Sequence, residues 1–380
     1  MNKKAVTIGS GSVVKIVSQF FGVDLHKDQL TWHRIARTED GTLLRSSGIV
    51  STSRIVEDFV PYLTQDRCYV IVEASSSAFF FYSLVSAHCT KAIVINPVAF
   101  RELYMTGKKT DHIDAKRLAD RLMYHVEMDD SDDGFPEVYV PDEAALEIRR
   151  LVTTYELLVK QGTQLKNQLK AIFKAKIIFG YDTILDDGIE EALMDERLDI
   201  ADKAIIRSIK SVHDSLDTEK ERIKEEILQI GVGRFRHEIE LLTGIPGVSI
   251  MGATVFMADV VTIDRFESAK KLTSYLASVG KVDASGGTVR NGSLNRRGRR
   301  TSYRFILQGI QHVIRENKNF KRFCERHQAT RQNKVRAAIV RKTFVSMFYM
   351  LKKNEPYRFF DKRIYSRKGK EIEKIVKKIA

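Results

Sequence analysis

The chain has 380 residues, enough for two or three domains each with its own core. Its 43% hydrophobic and 29% charged content is ordinary for a soluble globular protein. The net charge is +14 but unevenly spread: residues 285–380 carry 27 Lys and Arg against 6 Asp and Glu, leaving 36 basic and 43 acidic residues elsewhere. A last quarter at +21 and a remainder at −7 point to a polyanion partner, nucleic acid before membrane. Cys68, Cys89 and Cys324 are widely spaced, with no CxxC pair and no Cys/His ligand spacing, so they read as reduced thiols of a cytosolic protein. The N-terminus MNKKAVTIGSGSVVK has no cleavable signal pattern. The most apolar stretch, AFFFYSLVSAHCTKAIVINPVAF, is broken by His88 and Lys91, which excludes a membrane span.

In chain order, FFGVDLHK is an apolar run ending in Asp24, and QLTWHRIART alternates as a strand does. Asp40-Gly41 signals a hairpin turn, and TLLRSSGIV supplies a third strand. SRIVEDFVPYLTQ has helical spacing, CYVIVEAS is a β-branched run ending at Glu73, SAFFFYSLVSAH a buried helix and KAIVINP a further strand. Three strands followed by alternating helix and strand predict an α/β domain with a mixed sheet. The acidic run DDSDDG at 129–134 closes it.

Residues 142–230 are nearly free of proline and carry heptad-like apolar spacing, with a polar break at GYDTILDDG. Two long helices folding back as a coiled coil are expected. LLTGIPGVSIMGATVFMADV then reads as helix, turn, helix, a helix-hairpin-helix pattern whose turn amides can hold a backbone phosphate. Ser249 stands there in place of the usual second glycine. A glycine- and arginine-rich loop, KVDASGGTVRNGSLNRRGRRTSYR, leads into helix FILQGIQHVIREN, a last helix NKVRAAIVRKTFVSMFYMLKKN and a basic tail. The expected domains are 1–140, a catalytic α/β domain; 141–236, a helical linker; 237–355, a second functional domain; and 356–380, the tail.

Asp24 and Glu73 end strands, whereas Asp111 and Asp114, in GKKTDHIDAKRLAD, share one face at the start of a helix. Ligands of open α/β sheets gather at the carboxyl ends of strands. Four carboxylates brought to one point repel unless a cation joins them, and oxygen ligands select Mg²⁺ or Mn²⁺. Such ions clamp phosphodiesters in nucleases and polynucleotidyl transferases.

VDLHK, VIVEAS and KKTDHIDAKRLAD, in that order, resemble the DEDD motif of the Piv-like transposases, the insertion-sequence 110 family. The resemblance continues through LEIRRLVTTYELLV, IPGV, the RF-x-SAKKL segment at 265–272 and SGGTVRNG, across residues 20–350. It implies a RuvC-like first domain of the ribonuclease H class, with Asp24, Glu73, Asp111 and Asp114 as the metal-binding carboxylates. It also implies a C-terminal transposase domain in which Ser285 is the nucleophile on the scissile phosphate, and a structured guide RNA besides donor and target DNA. Because the two motifs lie in different domains joined by the helical linker, a composite site using two protomers is expected. From composition alone a serine beside two glycines is turn chemistry. The sequence departs from the family at SYLASVGKVDASGG, where the usual Gly-Leu-x-Pro run lacks its proline and Gly280 is displaced. Downstream, RRGRR and Arg304 stand where the family has Lys-x-Gly-Asn and Leu-Arg. Lys108, Lys109, Arg290, Arg296, Arg297, Arg299, Arg300 and Arg304 are therefore the expected phosphate contacts.

The reading that results is a cytoplasmic, nucleoid-acting DNA recombinase of an insertion sequence that is Mg²⁺-dependent, homo-oligomeric and RNA-guided. Its rivals are a junction-resolving nuclease that uses water and a non-catalytic nucleic-acid-binding protein.

Overall fold

The computed structural model describes residues 5–7, 13–103, 110–128, 135–179, 188–285, 288–294, 298–359 and 361–379. They form two units, Met1–Val140 and Pro141–Ala380. The first unit is built on a sheet of β2 (Val13–Leu25), β3 (Gln29–Thr38), β4 (Leu43–Ser51), β5 (Cys68–Glu73) and β6 (Lys91–Ile95), with β1 (Ala5–Thr7) paired to the start of β2. The order is β4-β3-β2-β5-β6. β3 runs antiparallel to its neighbours β2 and β4, and β5 and β6 run parallel to β2. This is the mixed sheet that three strands followed by alternating helix and strand predict.

Period-two alternation assigns the two faces. Phe21, Val23, Val70, Val72 and Val94 point to one side, where they meet helix α1 (Ala78–Val85) and the turns over 52–62. Those turns are helical, as the spacing of SRIVEDFVPYLTQ predicts, but in three short pieces: a 3-10 turn, a π turn and a second 3-10 turn that takes Pro61 at its start, where no amide is needed. Phe20, Ile71, Ile93 and Ile95 point to the other side, against Phe100 of α2 (Pro97–Leu103) and against α3 (Asp111–Glu127). α3 buries Ala115, Leu118, Ala119 and Leu122, a stripe at helical spacing. A Cβ on Gly22 would lie 2.1 Å from Ala115 O and 2.4 Å from Ala119 N. Only glycine lets β2 and α3 approach this closely.

Among its described residues the regular structure of the second unit is helical apart from one hairpin. α4 (Glu143–Ala175) and α6 (Ile200–Leu242) are antiparallel: Lys176 after the first meets Asp202 at the start of the second (2.7 Å), and Arg234 late in α6 meets Asp142 at the N-cap of α4 (2.9 Å). At one end they enclose a small core with α5 (Ile189–Leu193), through Leu169, Phe173, Leu193 and Ile206. At the other they join the main core, which takes in α7 (Ile250–Val260), α8 (Ala269–Tyr275), α9 (Thr301–Gln308), α10 (Ile310–Glu316), α11 (Lys318–Arg326), α12 (Gln332–Lys353) and α13 (Lys362–Ile379). α6 departs from helical geometry at Phe235 (φ −126°, ψ 33°). The helix expected over FILQGIQHVIREN is two short ones separated at Gly309. The expected basic tail is largely α13, an 18-residue helix. No described helix is long and apolar enough to cross a membrane.

Candidate active site and nucleic-acid interface

Asp24 lies two residues beyond Gly22 on β2, and Glu73 two beyond Ile71 on β5, so both carboxylates take the α3 side of the sheet. β2 and β5 are parallel, and each acid stands one residue past the Val23–Val72 pair. α3 starts on the same side, with Thr110 as N-cap accepting from Ile113 N (3.3 Å) and with Asp111 and Asp114 in its first turn. Carboxylates are favoured at a helix N-terminus, where they offset its free amides.

The tightest group among the described residues is Asp24, His26 and Asp111, whose ligand atoms all lie within 4.8 Å of one another. His26 sits in the β2–β3 turn, where its amide donates to Gln29 O (2.9 Å). Its Nε2 is 3.3 Å from both Asp24 Oδ2 and Asp111 Oδ1. Gln29 Nε2 donates to the other oxygen of Asp111 (3.1 Å). Asp114 is held 3.5 Å from Arg117 one turn on. Burial raises the Asp24 carboxyl above its ordinary value; the charges of Asp111 and Asp114 push the same way and His26 opposes them. The structure thus brings Asp24 and Asp111 together, with Asp114 near enough to act on Asp24. Glu73 and Asp114 stand outside the 4.8 Å group.

Two hard carboxylate oxygens and an imidazole nitrogen make a donor set that fits a divalent cation. Such an ion would also favour the charged form of Asp24, which burial first and the neighbouring carboxylates second disfavour. His26 escaped sequence reasoning. A lone histidine in a polar turn has no signature of its own; adjacency to Asp24 in VDLHK was the available sign.

Ser285 is the last residue of β7 (Gly280–Ser285), which pairs antiparallel with β8 (Thr288–Leu294). Ser285 faces Thr288 across the ladder, and Arg290 faces Asp283. A hairpin therefore replaces the expected loop. KVDAS and TVRNG alternate around Gly-Gly, a hairpin turn signal outweighed by the overall glycine content.

The feet of this hairpin are tied together. Arg299 N donates to Tyr275 O (2.7 Å), and Ser278 Oγ to Thr273 O (2.8 Å). A Cβ on Gly298 would fall within 3 Å of three backbone atoms of residues 274–277. Beneath lies Asp259, 1% exposed in the last turn of α7. Its carboxylate accepts from Arg299 Nε, Ser302 N (3.0 Å) and Ser302 Oγ (2.6 Å). Its carbonyl oxygen accepts from Arg149 (3.1 Å), Arg265 (3.2 Å) and the Tyr275 hydroxyl (3.1 Å).

Of the expected phosphate contacts, Arg299 is thus engaged by Asp259, and Arg304 makes a two-point bond to Glu156 of α4 (2.7 and 2.6 Å). Arg300 Nε is buried without a hydrogen-bond partner. Lys108, Lys109, Arg296 and Arg297 lie outside the described residues. In the RF-x-SAKKL segment, Arg265 lies over the rings of Phe266 and Tyr275 (4.4 Å each), and Ser268 caps α8 by accepting from Lys271 N (3.4 Å).

The Cys68 and Cys89 thiols are pushed up by burial to about 11 and about 12, so both are protonated at neutral pH.

Two family models match the chain. A DEDD-type model described as transposase covers residues 21–177, the stretch that holds all four carboxylates, and the model of the transposase IS116/IS110/IS902 family covers residues 239–325, which hold Ser285. No curated protein matches. The two matches fall in the expected order and together span more than half of the chain. The chain belongs to the IS110 family of insertion-sequence transposases.

Proposed function

We propose that this transposase is a serine recombinase that cuts and rejoins DNA at the ends of its element, with Asp24, Glu73, Asp111 and Asp114 holding Mg²⁺. The observation that carries the reading is the approach of Asp24 to Asp111 across the β2–α3 contact, inside the segment matched by the DEDD model. When bound, the ion supplies positive charge to the scissile phosphate. The residues of the chain do the rest. Asp24 and Asp111 hold the hard-ligand corner, Gln29 fixes the orientation of Asp111, and Arg117 keeps Asp114 turned along α3.

In this reading Ser285 Oγ forms a bond to phosphorus while the P–O bond to one deoxyribose breaks. The serine proton leaves to a base, and the departing oxygen takes up a proton. In the second step the hydroxyl of another DNA end attacks the same phosphorus, the Oγ–P bond breaks and the serine regains its proton. The number of phosphodiester bonds is unchanged. The hairpin supports this role by setting Ser285 at the last rung of a two-stranded ladder, opposite Thr288. The RuvC-like character of the first domain draws support from the β4-β3-β2-β5-β6 order. The coiled-coil character of the linker draws support from the antiparallel α4 and α6. We extend the proposal to a structured non-coding RNA that delegates the choice of DNA to base pairing, by the logic of other guided enzymes.

The test is strand exchange with purified protein, Mg²⁺, element-end DNA and the flanking transcript. Ser285→Ala is expected to abolish both exchange and the denaturant-stable protein–DNA adduct, a loss of at least about a thousandfold. If Ser285→Ala still cuts, water is the nucleophile and the junction-resolving nuclease is the correct reading. That rival is favoured by one observation, the assembly of the carboxylate group within the first unit alone.

A further inference from the structure

A strongly cationic helix, α13, with eight Lys and Arg against two Glu, lies outside both family matches. Helix α13 places Arg363, Arg367, Lys370, Lys374 and Lys377 at successive spacings of four, three, four and three residues. That spacing puts all five on one face, spanning about 21 Å along the axis. All five are exposed. None has a carboxylate partner among the described residues, whereas their neighbours on the flanks do: Glu373 is taken by Arg236 of α6, and Lys378 pairs with Glu225 (2.6 Å). Like charges three and four residues apart disfavour a helix, so this stripe is held together against its own repulsion.

What holds it is the opposite side of the helix. Ile372 is 1% exposed in the main core, and Ile375 and Val376 pack beside it. Lys368, 8% exposed, does not join the stripe; its Nζ donates to Thr243 O (3.0 Å) and to Val248 O in the turn between α6 and α7. α13 is therefore fixed in rotation as well as position, and its five cations stand along one outward face. The row touches at one point a cleft of about 530 Å³ beside the N-terminus of α7, where Arg367 is joined by Lys224, His312 and Arg315, with Glu371 and Glu316 also in the lining and Glu316 paired to Arg315 (2.9 Å).

We propose that this face of α13 is a docking surface for the phosphate backbone of double-stranded DNA, independent of sequence. A duplex presents one charge per about 1.7 Å of axis, about a dozen along the length of the stripe. The stripe positions carry Arg and Lys alone, whose charges pair with phosphates whatever the bases between them. The inference goes beyond the chemistry assigned to Ser285 and does not depend on it, because equilibrium binding needs no cleavage.

The experiment is fluorescence anisotropy of the full-length protein with a labelled 20-base-pair DNA duplex from 50 to 300 mM salt, in EDTA. The test variant carries Gln at Arg363, Arg367, Lys370, Lys374 and Lys377. Neutralising five phosphate contacts is expected to flatten the slope of log K against log salt by about four, and to weaken binding at least tenfold at 0.1 M salt. Arg363→Lys with Arg367→Lys keeps the charges and is expected to bind as the wild type does, with an unchanged melting temperature. A control with Gln at Lys160, Lys174 and Arg207 removes exposed charge from α4 and α6. The proposal fails if the stripe variant keeps its affinity and slope, or if the control weakens binding equally. It also fails if only affinity for a duplex RNA of the same length falls, which would make the stripe an RNA surface.

Discussion

Lys368 places an ammonium group where 8% of the residue reaches solvent, with carbonyl oxygens as its hydrogen-bond partners. Burial pushes it down from 10.5 to about 8; the charge of Arg367 adds to this and that of Glu371 opposes it. Between these two values the folded chain holds fewer protons than the unfolded chain, so stability rises with pH across the window. Lys368→Met has no such titration. The stability of the wild type relative to this variant is expected to grow by on the order of 2–3 kcal/mol from pH 8 to 10.5. Urea melts of both proteins at several pH values measure it, and parallel curves would remove the assigned burial cost. Asp259 is buried more deeply but is surrounded by donors from Arg299 and Ser302. It was legible only as the lone acid in the apolar IMGATVFMADV, and nothing local names partners some forty residues away. Asp24 and Glu73 were legible because each closes an apolar run that had to be a strand. His26 was not, because its role comes from a turn meeting a helix more than eighty residues later.

At the scale of elements, the β2–α3 contact decides the geometry of the carboxylates, and Gly22 decides the contact. A methyl group there meets backbone atoms of Ala115 and Ala119, which cannot step aside as a side chain would. Gly22→Ala is expected to cost about 2–3 kcal/mol by overpacking. It is also expected to weaken Mn²⁺ binding at least tenfold, since Asp24 rides on β2 and Asp111 on α3. Urea melts and a Mn²⁺ titration followed by electron paramagnetic resonance report the two effects separately. A loss of stability with unchanged ion affinity would show that the close approach serves packing alone. The mixed sheet was readable, because short turns join β2 to β3 and β3 to β4 and a helix separates β5 from β6; its strand order came only with the fold. α13 was less so: Lys368 occupies a core-facing position and interrupts the apolar period that marks a helix. FILQGIQHVIREN kept its period through Gly309, and the break there became visible only in the fold.

For the whole molecule, the two units have different sources of stability. The first is cored on both faces of one sheet, by Phe21, Val72 and Phe81 on one side and Phe20, Ile71 and Leu118 on the other. The second is cored by α7, which is buried along its full length, and by the helices around it. The carboxylate group belongs to the first unit and the Asp259 network to the second. Ligand binding stabilises the folded element that holds the ligand; an ion at a hundred times its dissociation constant contributes about 2.7 kcal/mol. For a unit of this size that is a rise on the order of 10 °C in melting temperature. Differential scanning calorimetry is therefore expected to show two transitions, with Mn²⁺ raising one of them. Asp259→Asn leaves Arg299 over a buried site without its charge partner, at a cost of about 3–5 kcal/mol. It is expected to lower the other transition by on the order of 10 °C and to leave the Mn²⁺ response intact. One transition moved by both the ion and the substitution would mean that the two cores melt as a single cooperative body, and that binding at the carboxylates is felt at the base of the serine hairpin.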